Sequence, residues 1–511
     1  MQVVSTRGGD AATLSEAIEA GLARDGGLYQ LERPLPRPSG SPRSLELPDV
    51  AAWLLTPLFE GEPMLRELPA LARRAFTFQA PLRALGERTD LLELFHGPTA
   101  AFKDFGARFL AECLAATHRG THPVTVLVAT SGDTGAAVAA AFHRRPGFRV
   151  VVLYPDGRVS ARQAHQLGAF GDNISTYRVV GSFDDCQRLA KGAFADAALV
   201  QATGLTSANS ISLGRLLPQV VYWAAAALAA ERRHGVPASF VVPTGNLGNA
   251  FALLMARELG LPIARVVLAT NANKVVPELF ASGHYAPRAS LATLANAMDV
   301  GAPSNAERLL AWWPDPRREA AWLTADAVED DAIRLRIRAT HAAHALAVCP
   351  HTACGLEVLT RLRAQGFEGP TVVAATAHPA KFETIVEPLI GTPVHAPPAL
   401  AELLSRPALS KPLTSDSEAL RRALLVETLT RVRARHARMH SSQLRLRARL
   451  RQRVRVWRGP ARSSPAHDPI RSELQSSKPQ RRCVSRFCSI EFTSVRRSPY
   501  CAQPATGRRV S

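Results

Sequence analysis

The chain has 511 residues, 46% of them hydrophobic and 21% charged, with seven cysteines. This length allows about two to four domains with a sizeable core, while the apolar fraction excludes wholesale disorder. Seven cysteines are too few for a disulfide scaffold. The net charge of +19 is local. Residues 431–511 carry 20 Arg and 1 Lys against Asp468, Glu473 and Glu491, a net of +18, whereas residues 1–430 hold 41 basic and 40 acidic side chains. The basicity of the whole chain is therefore no guide to the substrates of its body.

In chain order, residues 1–80 read as a mainly helical N-terminal region. Leu14 to Leu22 is amphipathic, Arg24 to Gly27 is a turn, and Pro and Ser recur from Leu35 to Pro48. Asp49 to Leu71 returns to helical spacing. From residue 90 strands alternate with helices. Strands are expected at Val124–Ala129, Arg149–Leu153, Ser175–Val180, Ser239–Val242, Arg265–Ala269 and Val372–Ala375, with helices at Ala136–His143, Ser160–Leu167, Asp184–Ala198 and Ala250–Leu259. Short apolar strands between helices imply an α/β fold with open parallel sheets covered on both faces. The longest apolar run, Val220 to Ala230, suits a buried helix rather than a membrane span. Met1 to Asp10 lacks the apolar stretch of a secretory signal, and Cys113, Cys186, Cys349 and Cys354 form no C-x-x-C pair. Reduced thiols, a cytoplasmic location and no metal are expected. The pairs His118/His122 and His341/His344 have helix spacing but no ligand company.

Three segments carry chemistry, each placed where open parallel sheets bind ligands. The first contains Phe102, Lys103, Asp104, Phe105 and Gly106. A lysine among aromatic residues can be desolvated, which favours the free amine of a Schiff base, although a rim lysine paired with Asp104 fits the same letters. The second, Thr130 to Gly135, joins a strand to a helix, and its N–H groups and hydroxyls suit a carboxylate or phosphate. It reads equally well as a helix start capped by Ser131, Asp133 or Thr134. The third holds Gly245, Asn246, Leu247, Gly248 and Asn249, again between strand and helix, and its amides can cradle a phosphate. It is neither G-x-G-x-x-G nor a P-loop, so NAD and ATP are poor candidates.

A Schiff-base lysine, an anion pocket and a phosphate cup together point to pyridoxal 5′-phosphate. The segments from Leu94 to Arg108, Ala129 to Ala137, Thr206 to Ile211, Asn296 to Val300 and Ala375 to Phe382 resemble the threonine synthase family in order and in wording. So do the N-terminal Ser5 to Gly8 and Asp25 to Tyr29, and the resemblance runs from about Val3 to Leu424. It implies a tryptophan-synthase-β-like fold, two α/β domains with the cofactor between them. It also implies that Lys103 carries the cofactor and moves protons, that Gly245 to Asn249 hold the cofactor phosphate, and that Asp133 lies at the ring's O3′ edge. Thr376 becomes the partner of the pyridine nitrogen. Ser131, Thr134, Asn209, Ser210 and Arg215 become the substrate-binding set, the last three for a substrate phosphate. The implied reaction turns O-phospho-L-homoserine and water into L-threonine and phosphate. Leu247 stands where relatives commonly have Phe, and His351 to Ala353 is a family segment to which no role attaches.

A dehydratase on the same fold would need no site for a substrate phosphate. A catalytically silent relative would lack Lys103. A nucleic-acid-binding reading rests on the arginine-rich end alone, where no module is recognisable. The expected partner is the small-molecule substrate, with no nucleic acid and no membrane, and monomer or homodimer both open. Residues 81–425 are expected as the catalytic core of two α/β subdomains, and 426–511 as a basic, disordered tail. Twenty Arg against one Lys is what a GC-rich coding strand yields in a wrong frame, so a frameshift or read-through origin is the reading for this tail.

Overall fold

The computed structural model describes residues 2–118 and 123–426. The expectation for the basic tail falls on residues 427–511, outside the described residues. Two sheets organise the body. In the five-stranded sheet the order is Lys411–Leu413, Ile174–Val179, Phe148–Pro155, Val124–Ala129, Leu205–Ser207, all parallel. In the six-stranded sheet it is Leu323–Ala327, Ile263–Thr270, Ala238–Pro243, Thr371–Ala375, Thr89–Glu93, Leu82–Gly86, and only the last edge strand is antiparallel. The central strands are buried along their whole length, as Phe148–Pro155 and Ala238–Pro243 illustrate, because helices cover both faces.

Local chemistry sets the helix boundaries. Thr13, Ser160 and Ser182 each cap a helix and close a capping box with Glu16, Gln163 and Asp185. The apolar run found in the sequence lies inside the 22-residue helix Leu213–His234, which ends at Gly235 in the left-handed conformation. This helix is long and apolar enough to cross a membrane by composition, yet it is the buried centre of the molecule. The helices Lys103–Thr117, Gly248–Glu258 and Leu47–Leu55 pack against it.

The N-terminal region holds the helices Leu14–Ala20, Leu47–Leu55 and Leu68–Ala75 and adds a small sheet that the helical expectation leaves out. Val3–Ser5 pairs antiparallel with Ala11–Ala12 and Tyr29–Leu31 in a small sheet. Strands of two or three residues leave no periodicity to read. The family segments Ser5 to Gly8 and Asp25 to Tyr29 face each other here. The Asp25 carboxylate accepts from the Ser5 hydroxyl at 2.8 Å and from the amides of Gly9 and Gly27. Thr6 and Arg7 bond Glu307 on the helix Ala306–Trp312.

In each sheet the strand order reverses once, between Val124–Ala129 and Leu205–Ser207 in one and beside Ala238–Pro243 and Thr371–Ala375 in the other. Loops leaving such a switch point diverge and open a crevice at the carboxyl ends of the strands. Asp133, Ser210, Gly245 and Thr376 follow those four strands. Lys103 follows Thr89–Glu93 in the second sheet.

Candidate active site

The crevice spans about 560 Å³ of non-atom space, the open solvent at its mouth included. It is lined by Lys103, Asp133, Ser210, Arg215, Gly245, Asn246, Gly248, Asn249 and Thr376 from the sequence-derived set, and by Phe102, Gln219, Ala297, Met298 and His351, which that set omitted. Ser131, Thr134, Asn209 and Leu247 are not among its lining residues.

Lys103 opens the helix Lys103–Thr117 and is half-buried. Its Nζ lies 4.7 Å from the centroid of the Phe102 ring and makes no hydrogen bond or ion pair among the described residues. Burial pushes its pKa down to about 8; Asp133 pulls it back, while Arg215 and Lys381 add to the fall. The alternative of a lysine paired with Asp104 is not what the fold builds. Asp104 is fully buried and turned to Thr99, accepting from its amide at 2.8 Å and its hydroxyl at 2.7 Å. Burial raises the Asp104 carboxyl to about 6 despite those donors.

The Thr130 to Gly135 loop is held together by a residue that the capping argument passed over. The Thr130 hydroxyl oxygen accepts from the amides of Gly132 and Gly135, both at 2.9 Å, and no side chain caps the helix Asp133–Phe142. Gly132 has φ 128°, open to glycine alone. The capping reading of Ser131, Asp133 or Thr134 is thereby replaced. Asp133 faces the cavity instead, with Oδ1 2.9 Å from Gln163 Nε2 and 2.8 Å from Lys381 Nζ. Burial opposes its charge, but Lys381, Lys103 and Gln163 outweigh that and hold its pKa at about 2. Gln163 in turn accepts from Asn296 Nδ2 at 3.1 Å, which ties the cavity-lining stretch Asn296–Met298 to the same carboxylate.

In the third segment the backbone faces the cavity and the side chains brace the loop. Leu247 takes φ 60° and buries its side chain. Asn249 donates to the Pro243 carbonyl at 2.9 Å and accepts from the Thr244 hydroxyl at 2.7 Å. A Cβ on Gly245 would meet Met298 Cα at 2.7 Å, so only glycine lets the Asn296–Met298 stretch close on the loop. Asn246 donates to Ser210 Oγ at 2.7 Å, which draws the hydroxyl expected for a substrate phosphate up against the Gly245–Asn249 loop. Asn209 is committed elsewhere, pairing with the amide and carbonyl of Ala129.

Arg215 is fully buried in the first turn of Leu213–His234. Its Nη1 donates to the Ala208 carbonyl, while Nε and Nη2 have no partner. Burial lowers its pKa to about 10. The glycine of the Lys103 segment explains how it fits. A Cβ on Gly106 would meet Arg215 Nε at 2.7 Å. Two unanswered donors on a buried guanidinium mark a place for an anion. His351 presents a third unanswered atom. Its Nε2 accepts from the Ala297 amide at 3.1 Å, so in the neutral ring Nδ1 carries the proton, and Nδ1 has no partner. Burial keeps it neutral, with a pKa near 4. These orphaned donors, together with a glycine-bounded cup and a lysine of lowered pKa, fit a doubly anionic aldehyde cofactor. Among the described residues no cluster of His, Cys, Asp or Glu can hold a metal.

Open parallel sheets, a switch-point crevice and a desolvated lysine beside a phosphate cup define a pyridoxal-phosphate enzyme. Residues 81–377 match the family described as pyridoxal-phosphate dependent enzyme, and residues 352–424 match the threonine synthase C-terminal family. The chain is 42% identical over 417 residues to the threonine synthase of Haemophilus influenzae and 40% identical over 420 residues to that of Escherichia coli. Each match covers 81% of this chain and 96% of the relative. The crystal structure of threonine synthase from Escherichia coli superposes with a TM-score of 0.75 at 37% identity, covering 84% of this chain and all of that one. The pyridoxal-phosphate-bound threonine synthase from Brucella melitensis gives 0.74 at 34%, covering 84% and 99%. The chain belongs to the threonine synthase family, and its cofactor is pyridoxal 5′-phosphate.

Proposed function

We propose that this cavity converts O-phospho-L-homoserine and water into L-threonine and phosphate, with Lys103 as the catalytic residue. The observation that carries this reading is the coexistence of two anion sites in one cavity, the Gly245–Gly248 cup and the unpartnered donors of Arg215. A substrate without a phosphate would leave the second site unanswered.

When bound, pyridoxal phosphate supplies the electron sink for the bonds that break at the substrate's α carbon. The chain supplies the rest. The backbone of Gly245 to Asn249 receives the cofactor phosphate. Thr376, whose carbonyl accepts from the Phe102 amide at 2.9 Å, would offer a neutral hydroxyl rather than a carboxylate to the pyridine nitrogen. Asp133 holds the O3′ edge, and the neighbouring Ser131 and Thr134 are the candidates for the substrate carboxylate, reached through backbone and hydroxyl groups of their loop. Arg215 and Ser210 take the substrate phosphate, and Asn209 fixes the loop from which they project. Lys103, with a pKa near 8, is poised close to neutrality to accept a proton at Cα and return one at Cγ. Loss of a proton at Cβ expels the γ-phosphate; water then adds its hydroxyl at Cβ, its proton goes to the released phosphate, and Cα regains a proton, which balances the reaction.

The test is release of phosphate from O-phospho-L-homoserine by the purified protein with L-threonine formed in equal amount. Phosphate released with 2-oxobutanoate in place of threonine would turn the reading to a lyase without hydration. Lys103→Ala should lose the borohydride-trappable cofactor adduct, and an adduct on another lysine would reassign the role.

A further inference from the structure

Behind the cavity that Lys103 lines lies a second lysine, and one carboxylate, Asp133, pairs with it while its charge also acts on Lys103. Lys381 sits in the short helix Pro379–Phe382 and is completely buried. Its Nζ is 2.8 Å from Asp133 Oδ1 and 2.8 Å from the Thr99 carbonyl oxygen. Lys103 has no such partner among the described residues. The charged and titratable groups facing Lys103 are Asp133 from the helix Asp133–Phe142, Arg215 from Leu213–His234, Lys381, and His351 from Pro350–Ala364. Of these only Asp133 is negative. Asp104, adjacent in sequence, is withheld by the amide and hydroxyl of Thr99. The same residue thus holds Asp104 through its donors and Lys381 through its carbonyl.

We propose that Lys381 is a positioning residue, the counter-ion that keeps Asp133 from pairing with Lys103 and so leaves the Lys103 amine free to react. The inference rests on Lys103 being the cofactor lysine. Condensation needs an unprotonated amine: Nζ adds to the aldehyde carbon, a C=N bond forms and one water leaves. An ammonium locked to a carboxylate in a buried site has no lone pair to offer. With Lys381 in place the Asp133–Lys381 pair is close to neutral seen from Lys103, and desolvation together with Arg215 decides the state of Lys103. Without Lys381 the ionised Asp133 has one cation left to turn to, which is Lys103. His351 does not compete, because its ring is held neutral and Nε2 is occupied by the Ala297 amide.

The experiment follows covalent attachment of pyridoxal 5′-phosphate to the cofactor-stripped full-length chain by visible absorbance against pH. Borohydride trapping and peptide mass mapping confirm Lys103 as the site. Lys381→Met should raise the midpoint of the pH profile by about one unit or more, the usual effect of a new opposite charge at contact. At neutral pH attachment should slow by about tenfold. Asp133→Asn should move the midpoint down, since an unpaired ammonium then faces Lys103. The double variant, with neither charge, should return close to the parent profile. A structural role for Lys381 would not give shifts of opposite sign. Should Lys381→Met fail to fold, Asp133→Asn and the double variant still decide. The proposal is overturned if Lys381→Met keeps the parent midpoint, if Asp133→Asn raises it, or if the double variant departs from the parent by as much as a single one. Because the readout is attachment, a protein that attaches the cofactor and makes no threonine refutes the proposed reaction and leaves this inference standing.

Discussion

Replacing Arg215 by methionine removes a fully buried charge while keeping most of the volume of its stem. Three donor sites are at stake: Nη1 on the Ala208 carbonyl, and Nε and Nη2 with no partner. Losing the Ala208 contact costs about 1 kcal/mol. Relieving the desolvation of an ion that lacks a counter-charge in contact returns as much or more, because the penalty for such a group is several kcal/mol. The thermal midpoint should therefore stay level or rise. Catalysis should move the other way. A charge-assisted contact to phosphate is worth about 1.5–3 kcal/mol, so kcat/KM for O-phospho-L-homoserine should fall roughly 10- to 150-fold. The assay is steady-state phosphate release beside a thermal melt and a spectral count of bound cofactor. Unchanged kcat/KM would show that the free donors meet nothing in turnover. An equal loss of bound cofactor would move Arg215 to the cofactor phosphate.

Gly245→Ala places a Cβ 2.7 Å from Met298 Cα. An overpacking strain of about 1–3 kcal/mol should weaken pyridoxal phosphate binding roughly 5- to 150-fold, read by titrating the visible absorbance; unaltered affinity would mean the loop does not close on that stretch. Asp104 has a folded-state pKa raised to about 6 from an ordinary 3.8, with burial as the main cause. The folded chain then binds more protons than the unfolded one between about pH 4 and 6, so this group makes stability fall as pH rises through that window, by up to about 3 kcal/mol. Asp104→Asn should flatten that part of the stability profile in denaturant melts at stepped pH, and an unchanged slope would rule the group out. Ending the chain after Val426 keeps Leu420 and Leu424 in the core and the bond from Arg149 to the Leu424 carbonyl. Activity and melting temperature should be preserved and solubility improved. Loss of either would make the arginine-rich segment part of the working enzyme.

The catalytic core was legible where burial is continuous. Val124–Ala129 is found at its expected bounds, and Phe148–Pro155 and Ala238–Pro243 extend theirs by a residue or two, because a strand covered on both faces must be apolar throughout. Leu205–Ser207 and Lys411–Leu413 were not legible. Three residues that pair along one side only carry no pattern. The helix expected over Asp184–Ala198 breaks into Phe183–Ala195 and Ala197–Thr203, where Asp196 caps the second piece. In the site, the glycine-rich turns could be placed from the sequence because backbone conformation is local. Partner choice could not. Thr130 rather than Ser131 answers the loop amides, and Gln163 reaches Asp133 from a helix 30 residues on. Lys381 stood inside a recognised segment, and the one signal it gave was a cation amid apolar neighbours.

Two arginines show how donor accounting separates structure from function once coordinates exist. Arg308, like Arg215, is fully buried, and burial pushes its pKa down to about 9. Its Nε and Nη2 donate to the Tyr29 carbonyl at 2.9 and 2.6 Å, Nη2 also to Ile211 O, and Nη1 to Asn305 Oδ1. Asn305 passes the constraint on, donating to the Asn246 carbonyl at 2.9 Å and to the Ser210 carbonyl at 3.4 Å. Every nitrogen of Arg308 is answered by protein, and the chain of contacts runs from the N-terminal sheet to the Gly245–Asn249 loop. Arg215 borders that loop with two donors unanswered. The fold can accept the desolvation of Arg308 because its own carbonyls repay it. It has no such return on Arg215, which supports the proposal that this guanidinium receives an anion that comes and goes.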